Sequence, residues 1–303
     1  MEIEISNILD ISNEERKYIE LHSFINILNV LMSNVYNLQL LDESTNTLSS
    51  ATISIKHIAD IITKNDLTRS HIDIIEKSLQ QMIDDLTNFI QNNGLQDHVT
   101  ATGILNSIKS TVAFFNFRLR ELRERLREPN VWKEHSIEQI KYEFYNFILA
   151  MEQNAKGKYN IVYGIAVPQN NTYMISFHVN SIFQDRIYMP IVFRDVIRDL
   201  TANAKKYTPI GGMIIAGLSQ DDKSLRFAIE DNGIGIPEDE LSKVVEFKYR
   251  ATNASSIKTF GNGFGLTKAY LVTKELGGKM YIKSSLGNGT RIIIEIPNKM
   301  ELT

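Results

Sequence analysis

The chain has no cysteine among its 303 residues, which excludes disulfides, thiolate metal sites and cysteine nucleophiles and suits a reducing compartment. Proline and glycine are scarce, six and 16. From about residue 13 to residue 156 both are almost missing, so nothing there interrupts long helices. No apolar run approaches the roughly 18 residues that a membrane span needs, and the acidic N-terminus lacks the charged-then-apolar order of a signal sequence. A cytoplasmic protein without a membrane span is expected. An excess of one charge is also lacking. A formal net charge of -3 gives no global attraction to nucleic acid, and none is expected as a partner. The one dense basic run, Arg118 to Arg127, alternates with Leu and Glu and reads as a solvated helix face. The six histidines show no paired spacing for zinc.

What is present divides in two, as the length suggests. Apolar residues recur at three and four in the first half: Leu21, Ile25, Leu28, Met32 and Val35; Ile72, Ile75, Leu79, Met82, Leu86 and Phe89; Ile104, Ile108, Phe115, Leu119, Leu122 and Leu126; Ile137, Ile140, Phe144, Ile148 and Met151. Each set marks one face of a helix, and together they predict a bundle, with a shorter helix over residues 53–62. The stretch 42–50 reads as a loop, Asn92-Asn93-Gly94 as a helix stop and Glu128-Pro129-Asn130 as a turn. After Lys156-Gly157-Lys158 the period becomes two. Strands are predicted at 159–163, 173–179, 213–218, 225–230, 279–284 and 290–296, and helices at 190–206 and 266–276. The expectation is an α+β chain: an all-α helical bundle over residues 1–156, then a two-layer α/β sandwich over 157–303.

Four short segments in the second half carry chemistry. In Asp199-Leu200-Thr201-Ala202-Asn203-Ala204-Lys205-Lys206-Tyr207-Thr208, positions 199, 203 and 206 share one helix face. Asp231-Asn232-Gly233-Ile234-Gly235-Ile236-Pro237 follows an apolar strand, and alone would read as a turn. Phe260-Gly261-Asn262-Gly263-Phe264-Gly265-Leu266 opens a helix, where successive backbone N–H groups can cradle phosphate oxygens. It follows a polar loop rather than the first strand of a βαβ unit, which excludes the dinucleotide-binding reading. Gly287-Asn288-Gly289-Thr290 precedes the last strand, and alone would read as a hairpin turn.

In this order and spacing the four segments resemble the Bergerat-type ATP-binding domain shared by histidine kinases, gyrase and Hsp90, the GHKL superfamily. The resemblance covers about residues 158 to 299. It implies Mg-ATP, with magnesium on Asn203, a phosphate-side lysine at Lys206, an aromatic beside the nucleotide at Tyr207, and Asp231 accepting from the adenine amino group. Gly233 and Gly235 would let the backbone pass close to the base. Gly261, Gly263, Gly265 and Leu266 would form the phosphate turn, and Thr290 would close the site. Segment 241–259 would be a lid, in which Arg250 of Glu246-Phe247-Lys248-Tyr249-Arg250 reaches the phosphates. Asp199 stands where many histidine kinases carry Asn and hydrolysing relatives carry Glu; it either orients a nucleophile or caps and solvates the helix.

In the first half, Leu21-His22-Ser23-Phe24-Ile25-Asn26 resembles the phosphoacceptor box of histidine kinases. His22 and Asn26 share a helix face, and neutral imidazole is a competent nucleophile near pH 7. Ser23 replaces the usual acidic residue, and the bland alternative is an ordinary histidine flanking a core seam. The resemblance implies a histidine kinase, acting with His22, Asn26, Asp199 and Arg250, a response-regulator receiver domain as partner, and a homodimer. Two alternatives stay open. One is a serine kinase like the pyruvate dehydrogenase kinases, whose bundle closes within one chain; the other is a module that ATP only switches.

Overall fold

A computed structural model describes residues 2–41, 49–64, 67–127, 130–155, 157–164, 171–255 and 263–299. The chain forms two compact units, Glu14–Glu128 and the combination of Met1–Asn13 with Pro129–Thr303.

The first unit is built of α1 (Asn13–Gln39), α2 (Ser49–Lys64), α3 (Arg69–Asn92) and α4 (Val99–Arg125). Their apolar faces share one core, each fully buried aliphatic side chain adding roughly 1.5–3 kcal/mol. On α1 the residues in this core are Leu21, Phe24, Leu28, Leu31, Val35 and Leu38, a seven-residue repeat. Ile25 and Met32 are only partly buried beside it, so the seam runs slightly around the helix from the predicted stripe. The α3 seam is buried throughout. Phe24 meets Phe115 edge to face at 5.4 Å, and Asn34 Nδ2 donates to Ser107 Oγ at 3.3 Å, so α1 packs on α4. Thr68 and His71 form a reciprocal cap at the start of α3, and His98 Nδ1 accepts from the Ala101 N–H at the start of α4; both satisfy exposed helix-end donors.

The basic run is not wholly a solvated face. Arg118 is 4% exposed, donates to Ser23 Oγ at 3.1 Å and lies over the Phe24 ring. Arg123 bridges Asp73 and Glu76 of α3. The alternation with Leu hid this, because position 118 falls on the same face as Phe115, Leu119 and Leu122, which are buried.

The second unit contains β1 (Glu2–Ile5), β2 (Trp132–Ser136), α5 (Ile137–Asn154), β3 (Asn160–Tyr163), β4 (Thr172–Ser181), β5 (Arg186–Pro190), α6 (Val192–Tyr207), β6 (Met213–Gln220), β7 (Ser224–Asp231), α7 (Phe264–Glu275), β8 (Lys279–Ser284) and β9 (Thr290–Pro297). Seven strands make one sheet in the order β1-β8-β9-β7-β6-β4-β3, and β2 pairs with β5 separately. β3, β4 and β6 run parallel, the other pairs antiparallel. Helices α5, α6 and α7 bury their faces in the sheet's core, giving the expected α+β class with a two-layer sandwich.

Two expectations need correction. The predicted boundary at 156 assigns α5 to the bundle, whereas the compact units separate near residue 128. Ile140, Phe144 and Ile148 join the sheet's core, with Phe144 stacked on Phe177 at 4.3 Å. A 3.6-residue apolar stripe specifies a buried face but not whether a helix or a sheet covers it. The strand β1 was not foreseen. It adds to β8, Ile5 is fully buried, and Tyr270 Oη donates to the Asn7 carbonyl at 2.7 Å. The predicted loop at 42–50 and turn at 128–130 fall largely outside the described residues.

Candidate functional site

A cavity of about 760 Å³, its open mouth included, lies in the second unit between α6, the end of β7, the segment 236–254 and the start of α7. Its wall is formed by Leu200, Asn203, Ala204 and Tyr207 of α6, by Ile229, Asp231, Ile234, Gly235 and Ile236, by Val244, Tyr249, Arg250, Ala251 and Ala254, and by Gly263, Leu266, Thr290 and Ile292. Eight residues singled out in the sequence therefore meet here: Asn203, Tyr207, Asp231, Gly235, Arg250, Gly263, Leu266 and Thr290. Asp199, Lys206, Gly233 and Gly265 flank this wall rather than form it, and Gly261 lies outside the described residues. His22 and Asn26 belong to the other unit.

The first, second and fourth segments are hydrogen-bonded to one another, and the helix after the third is bonded to the segment 236–254. The N–H of Ile234 donates to the Tyr207 carbonyl at 3.1 Å, and those of Gly287 and Gly289 donate to the carbonyls of Ile234 and Gly233 at 2.9 and 3.0 Å. Thr267 Oγ1 donates to the Glu246 carbonyl at 3.1 Å. Glycine is required where these backbones cross. Gly289 has φ +74°, and a Cβ there would come 1.8 Å from the Asp231 carbonyl; Gly235 has φ +67°, and its Cβ would come 1.9 Å from the Ser285 carbonyl. Gly265, though helical, would press a Cβ to 2.8 Å from Asn203 Nδ2. The missing side chain leaves a cradle beside the Asn203 amide.

Asp231 is the acidic group on the wall. Its Oδ1 accepts from the Gly233 N–H at 2.8 Å, but burial outweighs that bond and pushes the carboxyl up to about 6. An apolar slot holding one buried acceptor fits a flat, donor-bearing ring. At the opposite side of the chemistry, burial and then the nearby Arg250 pull the Lys206 ammonium down to about 8. Its Nζ lies 5.0 Å from the Tyr207 ring. Arg250 Nη2 donates to the Ala254 carbonyl at 2.9 Å, within a segment latched by Glu240. That carboxylate is buried, accepts from Tyr249 Oη and from the N–H and Oγ1 of Thr252, and is held below the usual carboxylate range by the Thr252 bonds first.

Among the described residues, no group of three or more His, Cys, Asp or Glu forms a metal cage. The fitting donor is the Asn203 amide oxygen, with room beside it at Gly265; one neutral oxygen suits a magnesium ion that keeps waters and takes phosphate oxygens.

Residues 190–300 match the family model described as histidine kinase-, DNA gyrase B- and HSP90-like ATPase. The segment is an ATPase domain of that family. It is similar to the sensor histidine kinase RppB of Synechocystis sp., 33% identical over 102 residues, which are 34% of this chain and 22% of that one. It is likewise similar to the sensor histidine kinase WalK of Bacillus subtilis, 33% identical over 108 residues, 35% of this chain and 18% of that protein. The chain thus spans about a fifth of these relatives. A solved structure described as mycobacterial sensor histidine kinase MprB aligns over 55% of this chain and 97% of its own, at 21% identity and TM-score 0.39. Among the described residues no helix is long and apolar enough to cross a membrane.

Sequence reasoning missed Lys268 of α7. This ammonium is 4% exposed, 2.8 Å from Asp195 Oδ2 and 3.4 Å from Asp199 Oδ2, and Arg198 holds the other oxygen of Asp195 at 2.6 Å. Asp199 is therefore paired towards α7. A lysine inside an amphipathic helix gives no sequence signal for this. In the bundle, Asn26 Nδ2 lies 3.0 Å from His22 Nε2, and the Tyr18 ring lies 5.9 Å from the imidazole.

Proposed function

We propose that the chain is an ATP-dependent protein histidine kinase, whose ATPase domain holds Mg-ATP and whose first helix supplies the acceptor, His22. The observation that carries this reading is the cavity in which an apolar slot, the Asp231 carboxylate, the Asn203 amide and Arg250 converge. Asp231 accepts from the exocyclic amine of the base, and Tyr207 covers the ring. Lys206, Arg250 and the backbone at Gly263 to Leu266 face the phosphates, so that charge on the transferring group meets cations and N–H donors. Magnesium, when bound, neutralises charge between the phosphates, and Asn203 is the residue that holds it. At the acceptor, the Nε2 lone pair of His22 attacks phosphorus as the bond to ADP breaks. Asn26, which bonds that lone pair in the resting bundle, both fixes the ring and must let go. From His22 the phosphoryl group passes to an aspartate of a response-regulator receiver domain, and the active species is a homodimer.

A second reading has one specific support. Within a single chain, α1 packs on α4 through Phe24–Phe115 and Asn34–Ser107, as a serine kinase with an intrachain bundle would require. Incubation with γ-labelled ATP and magnesium separates the two. Acid-labile, alkali-stable label on the wild type, absent from His22→Ala, is the expected result. Label on a target protein that survives acid and is lost in alkali would replace the histidine kinase by the serine kinase. ATP bound with no label anywhere would leave a nucleotide-switched module.

A further inference from the structure

The ion cluster beside the cavity contains a cation that the proposed reaction does not use. Lys268 enters from α7, one turn after the glycines at its start, and lies between two carboxylates of α6. Both ends are almost sealed from water, Lys268 and Asp195 each 4% exposed in their side chains, whereas Asp199 is 18% exposed. Arg198 holds the other oxygen of Asp195, and the four formal charges of Lys268, Arg198, Asp195 and Asp199 sum to zero. Asp199 sits one turn before Asn203 on the same helix, yet the cavity wall is made by Asn203 and Leu200 and not by Asp199. Its carboxylate is committed to α7.

A carboxylate one helical turn from the proposed magnesium ligand Asn203 is chemically two-sided. Unpaired, it accepts a proton from water, whose oxygen then bonds to the γ-phosphorus while the bridging bond to ADP breaks. The products are inorganic phosphate and ADP, and the acceptor gains nothing. Paired with the Lys268 ammonium at 3.4 Å, the same carboxylate is turned towards α7 and away from a water beside the phosphates. We propose that Lys268 is a positioning residue that withdraws Asp199 from the reaction, suppressing attack by water so that bound ATP persists until a protein acceptor arrives. This rests on the reading of the cavity as an ATP site. It predicts that the enzyme is a slow ATPase because of Lys268, not for want of a base.

The test is steady-state phosphate release by the full chain with ATP and magnesium, without an acceptor protein, alongside direct binding of a fluorescent ATP analogue. In Lys268→Gln, kcat for phosphate release should rise by at least about tenfold, within the range a positioned general base supplies, while KM for ATP changes by less than about threefold. A merely structural role would instead lower kcat or raise KM. Adding Asp199→Asn should abolish the gain, and Lys268→Arg, which keeps the charge, should return release close to the wild-type rate. If Lys268→Gln alone does not fold, Lys268→Gln with Asp195→Asn removes one charge of each sign and frees Asp199 equally. No rise in a folded, nucleotide-binding variant overturns the proposal, as does a rise that survives Asp199→Asn. Absence of nucleotide binding by the wild type would instead remove the ATP-site reading.

Discussion

At the scale of the residue, Asp231 carries two opposed demands. Burial raises its carboxyl to about 6, above its ordinary 3.8, so the folded domain prefers the protonated form. The stabilising share is complete below about pH 4 and is lost as pH rises through about 6, a swing on the order of 2–3 kcal/mol at most. Binding a base amine needs the reverse, since only the ionised group offers its full acceptor capacity. ATP affinity should therefore fall as pH drops below about 6, and Asp231→Asn should remove that dependence while weakening binding about 10- to 100-fold through the lost acceptor. Titration of a fluorescent nucleotide between pH 5 and 8 measures both; a flat wild-type profile would take the titrating role away from Asp231. The stability effect has its own readout. The empty Asp231→Asn domain should be more resistant to denaturant than wild type at pH 7 and no more so at pH 4.

At the scale of the element, the glycine turns matter more than the strands they join. Gly289 lets the start of β9 pair with the end of β7, where a Cβ would lie 1.8 Å from the Asp231 carbonyl oxygen. Gly289→Ala should cost about 1–3 kcal/mol in backbone conformation, lower the denaturant midpoint, and reduce nucleotide affinity by moving Asp231. An unchanged midpoint would mean that the turn relaxes freely. Much of this was legible in the sequence, because the glycines and their neighbours lie in short contiguous motifs. The same holds for the helices, whose apolar spacing gave every buried position of α3 except Ile90. What was not legible involves a second element. The partner of α5, the depth of Arg118 and the pairing of Lys268 with Asp199 all depend on which helix or sheet lies opposite. Strands β2 and β5, five residues each, are too short and too mixed in pattern to stand out from loops.

At the scale of the whole molecule, two separate cores imply two sources of stability. A ligand that binds one unit stabilises it by about 2.7 kcal/mol at a hundredfold excess over Kd. Hydrogen exchange with saturating ATP should therefore slow in β6, β7, β9 and α6 around the cavity and leave the core amides of α1 to α4 at their ligand-free rates. Equal protection of the bundle would mean that the units open together.

The strand β1 has one more consequence, for synthesis. It is made well before its partner β8, which begins at Lys279, and the entire bundle is encoded between them. At about 5–20 residues per second, Ile5 and its neighbours wait on the order of tens of seconds on the ribosome with a bare edge and no sheet to join. The bundle, made of local contacts, can mature during that wait. The sheet cannot take up β1 until β8 has been made, so until then this strand stays open to mispairing.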